Sequence, residues 1–252
     1  MLILKEVNAW LEMRDSRFAE SSLGFVPTMG ALHEGHMSLI EYSIRENNVT
    51  VVSIFLNPTQ FNDPKDLNRY PKTLDHDIAL LETAGVDVLI LPDFEQVYPD
   101  EYRYKILESD FSRKLCGASR PGHFDGVLTV VMKLLNIVKA QKAYFGEKDY
   151  QQFVLIREMV KAFFMKTEII SCPTIRETDG LAFSSRNARL TSDERLLAPQ
   201  FYKSLSSNDT LISQKAKLAS SGFKVDYLEE RDGRRYGAVY LGKVRLIDNV
   251  AI

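Results

Sequence analysis

Few features of this 252-residue sequence mark it for export or for a membrane. It has only two cysteines, Cys116 and Cys172, and neither belongs to a Cys-x-x-Cys pair, which is typical of reduced thiols in a cytosolic protein. Its apolar runs, such as residues 49–56, are far shorter than the ~20 residues of a membrane-spanning helix. The N-terminal segment carries Lys5 and Glu6 directly after a short apolar stretch, so it lacks the apolar core of a signal peptide. We therefore expect a cytoplasmic protein with no membrane span.

A large excess of charge of either sign is also missing. Lys and Arg number 32 against 34 Asp and Glu, which gives a formal net charge of −2. The densest basic cluster is Arg231, Arg234 and Arg235, and so small a cluster does not predict a nucleic-acid partner. An apolar share of 45% with a charged share of 26% is typical of a folded globular protein.

Short apolar runs alternate with longer segments of helical periodicity along most of the chain, and this alternation predicts a parallel sheet with helical crossovers. Strands are predicted at residues 23–26, 49–56, 86–91, 143–145 and 168–172, and helices at 37–47, 74–84, 126–138 and 150–163. The fold class is therefore α/β, a Rossmann-like doubly wound parallel sheet.

The pattern changes after Pro173. A helix is predicted to begin near residues 192–194, and strands are predicted at 224–229, 237–241 and 244–248. We expect two domains, an α/β domain at 1–174 and a smaller α+β domain at 175–252.

The common glycine motifs for nucleotides are missing. No two of the 13 glycines are separated by a single residue, which excludes G-x-G-x-x-G. The only Gly-Lys pair, Gly242-Lys243, is followed by Val244, so a P-loop is excluded as well. The first strand-to-helix turn, residues 27–36, instead holds two of the four histidines.

His33 and His36 are three residues apart, so both rings are predicted to face one anion on the same side of a helix start. Gly30 and Gly35 allow a ligand to approach the backbone closely. A zinc protease motif has its histidines four residues apart, and no cysteine lies nearby, so zinc is not expected.

Other polar residues follow predicted strands or lie at predicted helix starts. Gln60, Asn57 and Gln152 carry neutral amides that suit the hydroxyl and carboxylate groups of a small acid. Gly146 is followed closely by Lys148, a point charge, and Asp149, an acceptor. A further candidate is the loop with Ser184, Ser185 and Arg186, whose alternative interpretation is a plain serine-rich linker.

Five segments in this order resemble the pantoate–β-alanine ligase family, which belongs to the nucleotidyltransferases with a His-x-Gly-His signature. They are residues 25–36 (FVPTMGALHEGH), 54–61 (IFLNPTQF), 120–124 (RPGHF), 145–152 (FGEKDYQQ) and 179–187 (DGLAFSSRN), with a weaker match at 241–249. The resemblance implies an ATP-dependent condensation of pantoate with β-alanine, which forms pantothenate, AMP and pyrophosphate through a pantoyl adenylate.

The resemblance also implies the roles of individual residues. His33, His36 and Lys148 are implied as catalytic, Gln60, Gln152 and Asn57 as pantoate-binding, and Gln60 as β-alanine-binding. The residues implied for ATP are Pro27, Thr28, Met29, Gly30, Ala31, Leu32, His33, Glu34, Gly35, His36, Gly146, Glu147, Lys148, Asp149, Ile175, Phe183, Ser184, Ser185 and Arg186. The implied partners are small molecules and a second copy in a homodimer.

Magnesium is expected with ATP as co-substrate, and Asp77 is the candidate that assists Mg²⁺ through water. His76 is interpreted instead as part of a helix N-terminal turn, in which neighbouring acids offset the helix dipole. The resemblance implies that the domain at 1–174 binds ATP and pantoate and that the domain at 175–252 acts as a lid over the site. Within the lid domain, residues 199–224 look shorter than is usual in the family. Two alternatives stay open, a nucleotidyltransferase without a ligation step and a binding protein that has lost the chemistry.

Overall fold

The computed structural model describes residues 1–252 and contains two sheets. The strands of the first sheet are β1 (Leu2–Leu4), β2 (Leu23–Thr28), β3 (Val49–Ile54), β4 (Val88–Ile90), β5 (Lys142–Gly146) and β6 (Glu168–Cys172). Those of the second sheet are β7 (Lys224–Arg231), β8 (Arg234–Leu241) and β9 (Val244–Ala251). The helices are α1 (Val7–Ser16), α2 (Glu34–Glu46), α3 (Pro64–Asn68), α4 (Leu74–Ala84), α5 (Phe94–Val97), α6 (Cys116–Ser119), α7 (His123–Val138), α8 (Tyr150–Ala162), α9 (Ser192–Leu197), α10 (Pro199–Leu205) and α11 (Leu211–Ser220).

The first sheet is entirely parallel, with strand order β1-β4-β3-β2-β5-β6. The order reverses between β2 and β5, which are hydrogen-bonded neighbours. In doubly wound sheets, ligands bind at the carboxyl ends of the strands at such a reversal. The predicted fold class is confirmed, and the fold itself points to the ends of β2 and β5.

Apolar side chains of β2 point to both faces of this sheet, and helices cover each face. Leu23 and Phe25 belong to the larger core, which contains Trp10 of α1, much of α7 and part of α8. Val26 belongs to a second core on the opposite face, formed with α2 and α4. β3 is likewise buried from Val49 to Ser53, as expected of a strand covered on both faces, with Thr50 and Ser53 as its buried polar residues.

The five predicted strands are all present, although their ends shift by one or more residues at every strand except β6. The structure adds β1, which the prediction missed, and it places the start of α2 at Glu34 and of α7 at His123, three residues before each predicted start. The end of α4 is as predicted, because Gly85 adopts a left-handed conformation there with φ of +83°.

The second sheet is antiparallel, with order β7-β8-β9, and its strands pack with α10 and α11 around a separate apolar core. The prediction of a smaller α+β unit is confirmed, but α11 was missed. The boundary at residue 174 and the lid role stay predictions. None of the helices combines the length and the apolar character needed to cross a membrane.

Candidate active site

A cavity of about 560 Å³ opens at the carboxyl ends of β2 and β5. Residues from both sheets line it. The predicted site residues that it brings together are Pro27, Thr28, Met29, His33, Gly35, His36, Asn57, Gln60, Gly146, Lys148, Asp149, Gln152, Ile175, Phe183, Ser184, Ser185 and Arg186. One cavity therefore collects residues from all the segments that suggested a nucleotide and small-acid site.

His33 caps the N-terminus of α2. Its Nδ1 accepts a hydrogen bond from the Gly35 amide at 3.2 Å, so the ring proton of the neutral imidazole lies on Nε2. The rings of His33 and His36 are 4.1 Å apart, and Phe183 stacks on His33 with ring centroids 6.2 Å apart. Both histidines therefore lie at a helix start, as the spacing predicted, and Phe183 brings the loop before Ser184 against them.

Both histidines are held neutral. Burial, followed by the charge of Lys148, lowers the pKa of His33 to about 4. Burial, followed by the neighbouring His33, lowers the pKa of His36 to about 3. The Nδ1 atom of His36 is buried and has no hydrogen-bond partner within the protein. At neutral pH the pair can offer hydrogen bonds to an anion but no positive charge.

Asp77 holds the turn between β2 and α2 in place. Its two carboxylate oxygens accept hydrogen bonds from the amides of Ala31 and Leu32, each at 2.9 Å, and from the Thr73 hydroxyl at 3.1 Å. The residue is 1% exposed, and it does not line the cavity. Both oxygens of Asp77 are thus bound to the protein, and its assistance to magnesium through water stays a prediction.

The same hydrogen bonds involve Ala31 and Leu32, which the resemblance implies for ATP. Their backbone amides donate to Asp77, and their role in ATP binding stays a prediction. Gly30 precedes them with φ of +79°, and a side chain there would lie 3.1 Å from the Asp77 carboxylate. The turn that positions His33 thus depends on a buried carboxylate and on a glycine.

Gln60 ends a short 3₁₀ turn, Pro58–Gln60, after β3. Its side-chain oxygen accepts a hydrogen bond from Asn57 at 2.9 Å, so its side-chain N–H groups stay available as donors. Gly126 of α7 lies against this turn, where a side chain would come within 2.7 Å of the Gln60 amide nitrogen. Gln60 therefore has a fixed orientation that presents its donors.

Asn57 lines the cavity and is held by hydrogen bonds within the protein. Its amide group donates to Gln60 and to the Gly126 carbonyl, and its oxygen accepts from Thr59 and from the Tyr98 hydroxyl at 2.9 Å. It is 1% exposed. Asn57 therefore orients Gln60, and its contact with pantoate stays a prediction.

Lys148 lies in the turn Glu147–Asp149 that connects β5 to α8. Its Nζ is 3.5 Å from the Asp149 carboxylate. Burial raises the pKa of the Asp149 carboxyl, but Lys148 and Arg186 outweigh burial and hold that pKa below its usual value. Asn249 of β9 donates to the carbonyls of Glu147 and Lys148 at 2.8 and 3.0 Å, so the second sheet fixes this turn.

Arg186 lies in the 3₁₀ turn Ser185–Arg189, which Ser184 caps by accepting from the Arg186 amide. Its guanidinium is 2.9 Å from the Asp66 carboxylate, and Arg189 is 2.8 Å from the other oxygen of that carboxylate. Asp66 belongs to α3, and all three residues line the cavity. The partner of the predicted phosphate-binding arginine is thus a carboxylate.

Six predicted site residues do not line the cavity, and they are Gly30, Ala31, Leu32, Glu34, Glu147 and Asp77. Glu147 pairs with Arg234 at 3.3 Å and accepts from Ser171. His76 is exposed. No group of three or more His, Cys, Asp and Glu side chains is arranged to hold a metal ion.

Some cavity residues received no role from the sequence. Arg120 and His123 lie in one of the matched segments, but the match did not indicate a role for either residue. Asn249 lies in the weaker match at 241–249. Asp66 lies in none of the matched segments, because its importance depends on two arginines far along the chain.

Comparisons with known proteins show the family to which the chain belongs. The profile of the family described as pantoate-beta-alanine ligase matches residues 3–251. The pantothenate synthetase of Bdellovibrio bacteriovorus is 53% identical over 98% of this chain and 96% of its own, and that of Legionella pneumophila is 51% identical over 99% of both. The solved pantoate-beta-alanine ligase of Francisella tularensis is 46% identical with a TM-score of 0.95, covering 100% of this chain and 97% of that one.

These coverages bear on one expectation from the sequence, which stays a prediction for the family as a whole. Residues 199–224 were expected to be shorter than usual, but the Bdellovibrio and Legionella relatives are matched over 96% and 99% of their own length. Compared with them, the C-terminal part is not reduced. A family profile that spans nearly the whole chain, relatives at about half identity and a matching fold lead to one conclusion: this chain belongs to the pantoate–β-alanine ligase family.

Proposed function

We propose that this chain catalyses the ATP-dependent condensation of (R)-pantoate with β-alanine, which yields pantothenate, AMP and pyrophosphate. The observation that carries the proposal is the convergence of the His33–His36 pair, Lys148, Arg186 and Gln60 on one cavity at the reversal of the sheet. The Francisella relative was solved in complex with beta-gamma ATP and beta-alanine, which supports the same substrates here.

In the first step the pantoate carboxylate attacks the α-phosphorus of ATP. A bond forms between the carboxylate oxygen and phosphorus, the bond to the β-phosphate oxygen breaks, and pyrophosphate leaves. Lys148 and Arg186 supply positive charge to the phosphates, while His33 donates from Nε2 and His36 from its neutral ring. Ser184 and Ser185 add hydroxyl donors.

In the second step the β-alanine amine attacks the carbonyl carbon of the pantoyl adenylate. The new C–N bond replaces the bond to AMP, and the amine loses a proton. Gln60 and Gln152 orient pantoate through neutral amides, so they add no charge that would compete with the phosphate contacts. The protein needs no nucleophile of its own, because adenylation has already activated the carboxyl group.

Magnesium enters the proposal as part of the co-substrate Mg-ATP. The chain has no group of acidic or histidine side chains arranged to hold the ion, and magnesium in nucleotide sites is commonly bound by phosphate oxygens and water. A homodimer and a cytoplasmic location also belong to the proposal, and both rest on the family resemblance. Light scattering during size-exclusion chromatography tests the dimer.

Arg186 must exchange partners when ATP binds. In the described structure it is paired with Asp66, which also binds Arg189. A triphosphate carries more negative charge than one carboxylate and accepts at more oxygens, so it can compete for the guanidinium. Arg189 can keep Asp66 neutralised after Arg186 turns towards the phosphates.

Two measurements on the purified protein test the proposal. Pantoate-dependent release of pyrophosphate from ATP reports the first step, and β-alanine-dependent formation of AMP and pantothenate reports the second. Release of pyrophosphate without ligation would identify a plain nucleotidyltransferase, and no turnover at all would identify a binding protein. Either result would overturn the ligase assignment.

Variants test the residue roles. His36→Ala and Lys148→Ala should each slow adenylate formation by about 10²- to 10³-fold, with unchanged circular dichroism. His76→Ala and Lys161→Ala are matched controls, because both residues are exposed and neither lines the cavity. Full adenylation activity in either active-site variant would contradict the assigned roles.

A further inference from the structure

Arg120 and His123 form a polar cluster on the cavity wall next to Gln60. Arg120 follows α6, and His123 is the first residue of α7. The guanidinium Nη1 of Arg120 is 3.1 Å from His123 Nε2, and its Nη2 is 3.3 Å from the Gln60 carbonyl oxygen. His123 Nδ1 is 2.9 Å from the same carbonyl oxygen. All three residues line the cavity.

These contacts fix the tautomer of His123. A guanidinium can only donate, so His123 Nε2 accepts and the ring proton lies on Nδ1, which donates to the Gln60 carbonyl. Burial, followed by the charge of Arg120, lowers the pKa of His123 to about 3, so the ring is neutral at physiological pH. His123 thus acts as a neutral support for Arg120.

Arg120 is the charged member of the cluster, and no carboxylate pairs with it. No Asp or Glu oxygen lies within ion-pair distance, unlike for Arg186, Arg189 and Arg245 around the same cavity. Burial, followed by the charge of Arg186, lowers its pKa to about 10, so it stays protonated at neutral pH. Two of its five N–H groups have protein acceptors, Nε is not a buried atom without a partner, and the residue lines the cavity. Arg120 therefore keeps donors for a ligand in the cavity.

An unpaired guanidinium in a substrate cavity matches a substrate carboxylate, which it can bind through two parallel hydrogen bonds. Two carboxylates take part in the proposed reaction. That of pantoate must attack ATP, and a fixed positive charge on it would reduce its nucleophilicity. That of β-alanine does not react and remains in the product, so a permanent partner serves it through the whole second step.

We propose that Arg120 binds the carboxylate of β-alanine and that His123 positions Arg120 for this contact. The inference rests on the proposed ligase function and names the group that selects the amine substrate. Binding through the carboxylate leaves the amine, two methylene groups away, free to reach the adenylate carbonyl. The contact to the Gln60 backbone places this subsite beside the pantoate-binding amide.

The experiment compares two amines in Arg120→Gln and in the unmodified protein. One amine is β-alanine, and the other is ethylamine, which has the amine and two carbons but no carboxylate. Pantoate-dependent exchange of pyrophosphate into ATP is measured in parallel, because this half-reaction needs no amine. Arg113→Gln is the matched control, since Arg113 is exposed, binds Asp125 and does not line the cavity.

Arg120→Gln should lower kcat/KM for β-alanine by about 10²-fold, the effect of losing a charge-assisted pair. Pyrophosphate exchange should change by less than about threefold, and kcat/KM for ethylamine should be the same in Arg120→Gln as in the unmodified protein. Arg120→Lys should restore part of the activity with β-alanine. His123→Gln should raise KM for β-alanine by about tenfold while kcat is kept, because the guanidinium remains but loses its support.

An equal loss for both amines, or a loss of exchange as large as the loss of ligation, would overturn the assignment. In that case Arg120 would act on the fold of the cavity or on adenylation. Failure of the proposed function would be recognised separately, because the unmodified protein would then show no pantoate-dependent exchange at all.

Discussion

Asp77→Asn separates the anchoring role seen in the structure from the magnesium role suggested by the sequence. The substitution keeps the size of the side chain but leaves one acceptor oxygen facing the Ala31 and Leu32 amides. The new NH₂ group faces one of these buried amides, so one charge-assisted hydrogen bond is lost and one buried donor has no acceptor. With about 1.5–3 kcal/mol for the first effect and about 1–3 kcal/mol for the second, partly relieved by local shifts, we expect a loss of about 2–4 kcal/mol.

Urea unfolding followed by circular dichroism measures this loss, and the midpoint should fall without a change in slope. Because the turn also positions His33, adenylation should slow by about 10²-fold, as small displacements of catalytic groups do. The magnesium concentration for half-maximal activity should stay the same. Asp75→Asn is the matched control on the same helix, since Asp75 is exposed.

A different outcome would refute this reasoning. If Asp77→Asn left stability within about 0.5 kcal/mol of the unmodified protein but raised the magnesium requirement tenfold, the carboxylate would serve the metal instead of the turn. The structure predicts the opposite, because both oxygens are bound to backbone amides and the side chain is 1% exposed.

Three further predictions concern stability and substrate affinity. Neutral His123, whose pKa is about 3 against an ordinary 6.5, stabilises the fold fully above about pH 6.5 and less as the pH falls towards 3. Between pH 6 and pH 5, the free energy of unfolding measured in urea should therefore fall more for the unmodified protein than for His123→Gln, by up to ~1.4 kcal/mol. Gly126→Ala should displace the turn that carries Gln60, raising KM for pantoate at least tenfold in initial-rate assays and lowering stability by about 1–3 kcal/mol. Asp248→Asn should cost about 3 kcal/mol in the same unfolding assay, because it leaves the Arg176 guanidinium without its buried partner at 2.6 Å.

Local sequence signals were sufficient where an element carries its own pattern. The apolar runs of β2 and β3 and the glycine after α4 gave the strands and the helix end. The element β1 was missed because it has three residues and pairs only with β4. Helix α11 was missed because only Gln214 and Leu218 are buried, which leaves almost no apolar stripe.

The site was predictable as a set of residues but not as a set of contacts. The types of His33, His36 and Lys148 indicate their chemistry, and the structure brings all three to one cavity. The hydrogen bonds that hold Asn57 and Asp77 could not be predicted from the sequence, because several of their partners lie far away along the chain. The side-chain oxygen of Asn57 accepts a hydrogen bond from Tyr98, and the oxygens of Asp77 accept from amides 46 and 45 residues away.

The hydrogen bonds from Asn249 to the carbonyls of Glu147 and Lys148 link local unfolding to catalysis. Regions of a protein open separately, each with its own free energy, and β9 is the last strand of the small sheet. Each opening of β9 frees the backbone of Lys148, so the fraction of molecules able to form adenylate cannot exceed the fraction with β9 closed. Hydrogen exchange at β9 and the rate of adenylation should therefore respond together to temperature and denaturant.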